Sequence, residues 1–420
     1  MVWVYLGACI LCSLSWIVGV FLEWDFLDIL PINLGIAFVV FVIWLVDRKL
    51  RARAAAALER SILAGAQAQA HNTRPDRRGE ISAMQEEMQR GFSVLRNVKD
   101  GGRALTTLPW YVIVGPPGAG KTTALRQSGL DFPMQHDGRE PTKGVGGTRN
   151  CEWWFCNEAV LLDTAGRWTV ENDDHDEWLA FLDTVKKFRS RTPINGVVVA
   201  VSVADLVSRR EEQVEELAKA LRTRIDELMV RLQIVVPVYV LFTKADLVGG
   251  FVEFFGDLKR SERGQIWGAS IPLTVDLSRD TARTVEAEFD LLAASLHARA
   301  LARVRTERVH HHRATIIRFP LEFRALRAAV SLFSTVLMRP NAYQETPIFR
   351  GFYFTSGTQE GRPMDSVLAG MSSAFGLPAS QAPAAPPGEL KSYFLTDVFR
   401  KSAFPDRELA ARRKFIRRGP

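Results

Sequence analysis

The stretch VIVGPPGAGKTTALRQSG, residues 112–129, decides how this chain folds. It holds the pattern G-x-x-x-x-G-K-[ST] between an apolar run that predicts a strand and a TALRQSG run that predicts a helix. Glycines in such a loop let backbone N–H groups wrap phosphate oxygens, and the start of the helix offers its positive end to the anion. The stretch therefore predicts a phosphate-binding loop. Its predicted nucleotide-binding residues are Gly115, Pro116, Pro117, Gly118, Ala119, Gly120, Lys121, Thr122 and Thr123.

Apolar runs on both sides of this loop predict the rest of the sheet. They are WYVIVG, AVLLDTAG, GVVVAVS and VVPVYVLF, and their β-branched residues run continuously instead of alternating. Such runs are typical of strands covered on both faces, which favours a parallel sheet. Helical patterns lie between them, the clearest over residues 208–232. The sequence thus predicts an α/β, doubly wound, GTPase-like domain, with TPIFRGFYFTSG as a strand that leaves it.

Two side chains of the loop and a second motif, DTAG, predict the phosphate and metal chemistry. Lys121 would neutralise β- and γ-phosphate oxygens, and the Thr122 hydroxyl would bind Mg²⁺. Asp163 would hold the Mg²⁺ through water, and the N–H of Gly166 would sense a γ-phosphate. Arg167 stands where a Ras-type GTPase has its water-orienting glutamine, so we expect slow hydrolysis or hydrolysis that needs groups from a partner.

A third motif, LFTKADL, indicates which base is bound. Thr243, Lys244 and Asp246 resemble the guanine-reading N-K-x-D pattern, with threonine in place of asparagine. The Asp246 carboxylate would accept hydrogen bonds from guanine N1 and N2, which adenine cannot supply, so GTP is favoured and ATP stays open. A fifth GTPase motif is not clear, and the candidate is Ala269 with Ser270.

The loop PTKGVGGTRN, residues 141–150, is the candidate switch. Thr148 precedes NCEWWF and is predicted to close on Mg²⁺, with Thr142 as the alternative. Its glycines would allow an order–disorder transition. A glycine-rich loop without that role is the other interpretation. The predicted metal ligands are then Thr122, Thr148 and Asp163, and the predicted catalytic residues are Lys121, Thr148 and Gly166.

The N-terminal residues predict a membrane hairpin. Residues 2–22 and 29–46 are apolar, and a crossing helix needs about 20 such residues. An acidic turn over residues 23–28 separates them, whereas four basic residues follow directly: Arg48, Lys49, Arg51 and Arg53. The positive-inside rule then places the rest of the chain in the cytoplasm. Contact with anionic headgroups accounts for the basic cluster without nucleic acid.

The composition and patterns divide the chain into four parts. The 420 residues carry a formal net charge of +7 and only four cysteines, which suits a reducing compartment and no zinc site. The predicted parts are the hairpin over residues 1–50, a linker with an amphipathic helix over 51–102, a P-loop NTPase domain over 103–284 and a helical extension domain over 285–420.

Taken together, the motifs resemble the IcmF-like family. They are GPPGAGKTTAL, GTRNCEWWF, AVLLDTAGRW, PINGVVVAVS, PVYVLFTKADL, GFVEFF, RGFYFTSGTQEG and SYFLTDVF, and they cover almost the whole chain except the linker. The resemblance implies a multi-pass scaffold of the bacterial inner membrane in type VI secretion. It also implies a DotU-like neighbour (TssL), an outer-membrane lipoprotein (TssJ) reached through a periplasmic region, cytoplasmic baseplate components and a homo-oligomer.

The basic end of the chain, RRKFIRRGP, is of the kind that precedes a further membrane entry, so we expect the N-terminal part of a longer protein. Three functions stay open: a scaffold whose nucleotide acts as an assembly switch, a membrane-anchored NTPase whose hydrolysis powers secretion or assembly, and a scaffold with a vestigial site. The complete Lys121, Thr122 and Asp163 set disfavours the third.

Overall fold

The glycine-rich loop joins an interior strand of a mixed sheet to a short helix in the computed structural model of the chain. The structure describes residues 107–132, 151–170, 174–189, 192–275, 277–341, 344–357 and 391–412, with isolated positions between 31 and 42. The described residues from 107 onward fall in one compact unit, and the isolated positions, which are helical, fall in another.

The nine strands of the described residues are β1 (Trp110–Val114), β2 (Glu152–Phe155), β3 (Val160–Asp163), β4 (Gly196–Ser202), β5 (Ile234–Val235), β6 (Pro237–Thr243), β7 (Gly268–Ser270), β8 (Ile348–Phe354) and β9 (Ala411–Arg412). The α-helices among them are α1 (Lys121–Arg126), α2 (Arg167–Val170), α3 (His175–Phe188), α4 (Val203–Ser208), α5 (Glu211–Leu232), α6 (Phe251–Phe255), α7 (Arg260–Arg263), α8 (Leu277–Thr306), α9 (His310–Ala325) and α10 (Arg327–Met338).

Seven strands form the main sheet, in the order β2-β3-β1-β4-β6-β8-β7. The four strands predicted from continuous apolar runs are β1, β3, β4 and β6, and every residue in them is buried. The predicted α/β class is therefore confirmed. The sheet is not wholly parallel, because β2 pairs with β3 and β7 with β8 in antiparallel fashion. Only residues 156–159 join β2 to β3, which is too short for a parallel crossover.

The strand β8 lies inside the sheet, parallel to β6 and beside β7. The expectation that this strand leaves the domain was wrong. Its last four residues, Gly351–Phe354, are buried, and such a run is stable only when both faces are covered. The part of the chain after residue 285 therefore supplies a strand of the main sheet, between β6 and the edge strand β7.

Helices cover this sheet and extend from it. The predicted helix over residues 208–232 is confirmed as α5, which buries Leu217, Leu221 and Leu228 on one face. The region after residue 285, which is predicted to be helical, contains most of α8 together with α9 and α10. The GFVEFF motif begins α6, whose Phe251, Phe254 and Phe255 are buried among the rings of Trp267 and Phe319. These phenylalanines join α6 to α9 as core packing.

The predicted membrane hairpin over residues 1–50 lies almost wholly outside the described residues, as do the linker over 51–102 and the switch loop over 141–150. Within the part of the chain that the structure describes, no helix combines the length and the apolarity that a bilayer crossing requires.

Candidate functional site

The carboxyl ends of the parallel strands β1, β3, β4, β6 and β8 meet at one edge of the sheet, which is where open α/β sheets bind ligands. The loop from Gly115 to Gly120 leaves β1 at this edge and enters α1. Gly118 and Gly120 have φ angles of 75° and 77°, in the left-handed region that favours glycine. The glycines of the motif are thus required by the backbone path of the loop.

Lys121 is the first residue of α1, and its side chain turns back over the loop. Its Nζ donates hydrogen bonds to the carbonyl oxygens of Gly115 at 2.8 Å and Pro116 at 3.2 Å. Burial lowers the pKa of Lys121, while the nearby Asp163 acts in the opposite direction. The ammonium group is therefore held at the loop by carbonyl acceptors, in the position where a bound anion would be neutralised.

Thr122 and Asp163 meet next to this lysine. The Thr122 hydroxyl donates to Asp163 Oδ2 at 2.5 Å, although the two residues are 41 positions apart. Asp163 ends β3 and is fully buried. Hydroxyl and carboxylate oxygens are ligands that Mg²⁺ accepts, so the predicted pair for the metal is brought together. The third predicted ligand, Thr148, lies outside the described residues.

Gly166 packs directly against the loop. A Cβ atom at this position would lie 2.5 Å from the Pro117 nitrogen and 2.6 Å from its Cα. The Thr164 and Thr169 hydroxyls on either side donate to the carbonyl oxygens of Ile113 and Gly115, at 2.7 and 3.3 Å. The DTAG segment is thus fastened to the first strand and the loop, and any side chain at Gly166 would push them apart.

Arg167 has partners that the sequence did not reveal. Its guanidinium forms ion pairs with Asp174 at 3.1 Å and with Glu177 at 2.8 Å. The Trp168 indole N–H also donates to Glu177 at 3.1 Å. In this state Arg167 ties α2 to the start of α3.

Buried Arg224 of α5 holds the same segment from the other side. Its Nε donates to the Trp168 carbonyl oxygen at 2.6 Å, and its Nη1 pairs with Glu227 at 2.9 Å. Glu227 in turn lies 2.9 Å from the His175 ring nitrogen. Sequence reasoning missed this network, because it joins residues more than 50 positions apart.

Thr243 replaces the asparagine of the guanine motif but still reaches the loop. Its hydroxyl donates to the Ala119 carbonyl oxygen at 2.5 Å. Lys244 follows in the left-handed region, with φ at 56°, and its Cε comes within 3.9 Å of the position that a Cβ on Gly120 would occupy. The threonine therefore keeps a direct tie between β6 and the phosphate loop.

Asp246 is 5% exposed and has an unsatisfied oxygen. Its Oδ1 is buried with no hydrogen-bond partner among the described residues. Burial raises its pKa to about 6, opposed by a hydrogen bond from Ser356 and by the charge of Lys244. A buried acceptor without a donor costs free energy until a ligand supplies one, so this oxygen fits the N–H groups of a guanine base.

The turn Thr355-Ser356-Gly357 lies beside Asp246, and sequence reasoning did not single it out. This turn follows β8, the neighbour of β6, and its Thr355 carbonyl accepts the Ala245 N–H at 3.0 Å. Ser356 exchanges two backbone hydrogen bonds with Tyr393, at 3.1 and 2.8 Å. The candidate pair Ala269-Ser270 lies on the edge strand β7, beyond β8 in the sheet. The three residues Thr-Ser-Gly do not by themselves predict a site. Only the order of strands in the sheet places them beside Asp246.

The fold and this site define an α/β protein in which a glycine-rich loop leads from a central strand into a helix. A family model described as the IcmF-related N-terminal domain matches residues 171–419, more than half of the chain. The chain belongs to the IcmF-related family, as the motifs predicted.

One relative is the type VI secretion system component TssM1 of Pseudomonas aeruginosa, which is 44% identical over 339 residues. The match covers 79% of this chain and 31% of that protein, so the chain spans about a third of the length of this relative.

Two solved structures share weaker likeness. The signal recognition particle receptor SRb-GTP/SRX complex from Chaetomium thermophilum is 20% identical with a TM-score of 0.24, covering 34% of this chain and 71% of that one. The complex of SsGBP and GDP is 15% identical with a TM-score of 0.21, covering 41% and 44%. At these TM-scores the likeness says nothing about function.

Proposed function

We propose that this chain is a component of a type VI secretion system, of the TssM kind, and that its α/β domain binds guanine nucleotide as an assembly switch. The observation that supports membership in the secretion apparatus is the 44% identity to TssM1 over most of the chain. Anchoring by the predicted hairpin over residues 1–50 would place it in the bacterial inner membrane, with the described residues from 107 onward in the cytoplasm.

The nucleotide proposal rests on one cluster. Lys121 and Thr122 of α1, Asp163 at the end of β3 and Gly166 just before α2 gather around a loop whose backbone requires glycine. Lys121 would leave its two carbonyl acceptors and bind phosphate oxygens, while Thr122 and Asp163 would hold Mg²⁺ directly and through water. The bound Mg²⁺ supplies charge neutralisation for the phosphates. The unsatisfied Asp246 oxygen favours GTP over ATP.

The same residues favour a switch over a motor. The proposed sensing groups are the N–H of Gly166, a residue that packs against the loop, and Thr148 in the glycine-rich segment over residues 141–150. Arg167 occupies the position of the water-orienting glutamine and is engaged by Asp174 and Glu177. We expect slow hydrolysis, because an arginine finger from a partner accounts for about 10³–10⁵ in rate in the GTPases that use one.

The partners we propose follow from the family. They are a DotU-like inner-membrane protein (TssL), an outer-membrane lipoprotein (TssJ) met in the periplasm, cytoplasmic baseplate components and further copies of this chain. The nucleotide state would change the surface that the domain offers to the DotU-like protein.

The test is a competition between GDP and ADP for the full chain in detergent micelles, with Mg²⁺ present and then chelated. The proposal expects GDP to bind more tightly than ADP, and Mg²⁺ removal to weaken the binding. Equal affinities would reject guanine reading by Asp246. If neither nucleotide binds, the switch is rejected and only the secretion scaffold stands.

A further inference from the structure

The outer part of the hairpin made by α8 and α9, residues 291–321, is rich in basic side chains. The two helices pack against each other and are joined by residues 307–309. Residues 291–321 contain six arginines and four histidines but one acidic residue, Glu307. Glu307 is already engaged, because it accepts the N–H groups of Arg308 and Val309 and lies 3.6 Å from Arg303. Its negative charge therefore balances groups inside the hairpin.

The end of this hairpin, residues 301–317, is called the tip. Its exposed side chains include the cationic Arg305 and Arg308 together with His310 and His311. Of these, the two arginines are charged at any physiological pH. The tip thus presents fixed positive charge to its surroundings.

Apolar side chains are exposed among these cations. Leu301 is 55% exposed, Val309 40% and Ile317 49%. At 1.5 Å per helical residue, Leu301 lies about 8 Å and Ile317 about 11 Å from the connection, so all three belong to the same end. Along α8 the helical period places Leu301 and Arg305 opposite the buried residues Phe289, Leu296 and Ala300. They therefore face away from the core.

We propose that the tip docks on an anionic phospholipid surface. Single apolar side chains flanked by cations are the pattern of protein segments that enter the headgroup region, where arginines contact lipid phosphates. Leu301, Val309 and Ile317 enter the interface, and Arg305 and Arg308 bind phosphate groups. This inference rests on the membrane attachment in the proposed function but not on the nucleotide site.

The test uses the full chain in phosphatidylcholine vesicles with and without phosphatidylglycerol. Cys9→Ser and Cys12→Ser remove two thiols, and the remaining Cys151 and Cys156 are buried. A nitrobenzoxadiazole dye on Val309→Cys then reports quenching by nitroxide-labelled lipids. The matched control carries the dye on Leu273→Cys, an apolar position that is 56% exposed and lies outside the tip.

We expect lipid quenching at position 309 in phosphatidylglycerol vesicles and several-fold less in phosphatidylcholine or at position 273. The pair Arg305→Glu and Arg308→Glu should abolish the excess quenching, since each arginine near an anionic surface changes partitioning roughly fivefold. Arg283→Glu, at a side chain that is 87% exposed on the same helix, should not.

Equal quenching at positions 309 and 273, or quenching that survives the charge reversal, would overturn the inference. If an acidic protein protects the dye at position 309 while lipids do not quench it, the tip binds a protein partner. That result would also reject the lipid proposal. If the chain does not float with vesicles, the membrane attachment of the proposed function is rejected. Quenching of the dye at position 309 by the added vesicles then still shows whether the tip binds lipid.

Discussion

Lys121 is the residue on which the proposed phosphate contact depends. Its two carbonyl contacts are replaceable by phosphate oxygens, and each charge-assisted hydrogen bond contributes about 1.5–3 kcal/mol. Lys121→Ala should therefore lower GDP affinity by roughly 10- to 150-fold, measured by calorimetric titration. Lys219→Ala, at a side chain 58% exposed on α5, is the matched control and should bind as the wild type does. An unchanged GDP affinity in Lys121→Ala would show that Lys121 does not bind the phosphates.

Gly166 tests how tightly DTAG is packed on the loop. In Gly166→Ala the new Cβ would meet the Pro117 backbone at 2.5 Å, so the loop must move. Overpacking of this kind costs about 1–3 kcal/mol, and we expect a lower Tm together with weaker GDP binding. Gly264→Ala is the control, because its Cβ would find its nearest atoms at 3.7 Å in a right-handed conformation. A variant at 166 that is as stable as this control would contradict the packing argument.

Asp246 should make guanine binding depend on pH. Guanine needs the ionised carboxylate, whose pKa burial raises to about 6, so affinity falls as the pH drops through that value. Protonation alone makes GDP binding about tenfold weaker at pH 5 than at pH 7. Phosphate protonation is common to wild type and Asp246→Asn, so the ratio of their GDP affinities isolates the carboxylate.

The substitution Asp246→Asn should also shift preference towards xanthosine nucleotides, since an amide matches the altered base edge. A GDP affinity ratio between wild type and variant that stays constant from pH 5 to pH 7 would show that Asp246 does not read the base.

At the scale of elements, the segment from Tyr393 to Arg407 stabilises the sheet through side-chain hydrogen bonds to two of its strands. Asp406 accepts from Arg350 at 2.6 Å and from the Tyr239 hydroxyl at 3.0 Å, and the Tyr353 hydroxyl bonds to Ser402 at 2.6 Å. These contacts join β6 and β8 to a segment far along the chain. The position of the Ser356 turn therefore depends on the C-terminal residues that pair with it.

Removing the charge of Asp406 should lower the stability of the domain. Asp406→Asn leaves the half-buried Arg350 without its carboxylate, which costs about 2–3 kcal/mol. We expect a lower Tm by intrinsic tryptophan fluorescence. Lys401→Ala breaks an exposed pair with Asp397 and should change stability by under about 0.5 kcal/mol. Equal Tm values for the two variants would contradict the role given to Asp406.

At the scale of the whole molecule, the switch proposal couples the site to a partner. A GTP analogue should order residues 141–150, and we expect slower hydrogen exchange there than without nucleotide. The affinity for the DotU-like protein should differ between the two states, and GTP hydrolysis should be slow. Lys121→Ala is the control that should show no response to analogue. Equal hydrogen-exchange protection and equal partner affinity in both states would reject the switch and leave the scaffold function as the remaining proposal.

The sequence by itself determined the features that depend on neighbouring residues. The glycines, Lys121 and Thr122 stand within one loop, and continuous apolar runs predicted β1, β3, β4 and β6, because burial on both faces leaves a local pattern. The same local reading singled out Asp163 and Asp246, since Asp163 ends β3 and Asp246 comes soon after the end of β6.

The tertiary structure decided everything that depends on which strands become neighbours. It placed β8 beside β6 and so brought Ser356 to Asp246, 110 residues earlier in the chain. It gave Thr243 its contact with Ala119, and Arg167 its carboxylates on α3. No local propensity encodes these pairings, because they come from the packing of long-range elements into one sheet and one core.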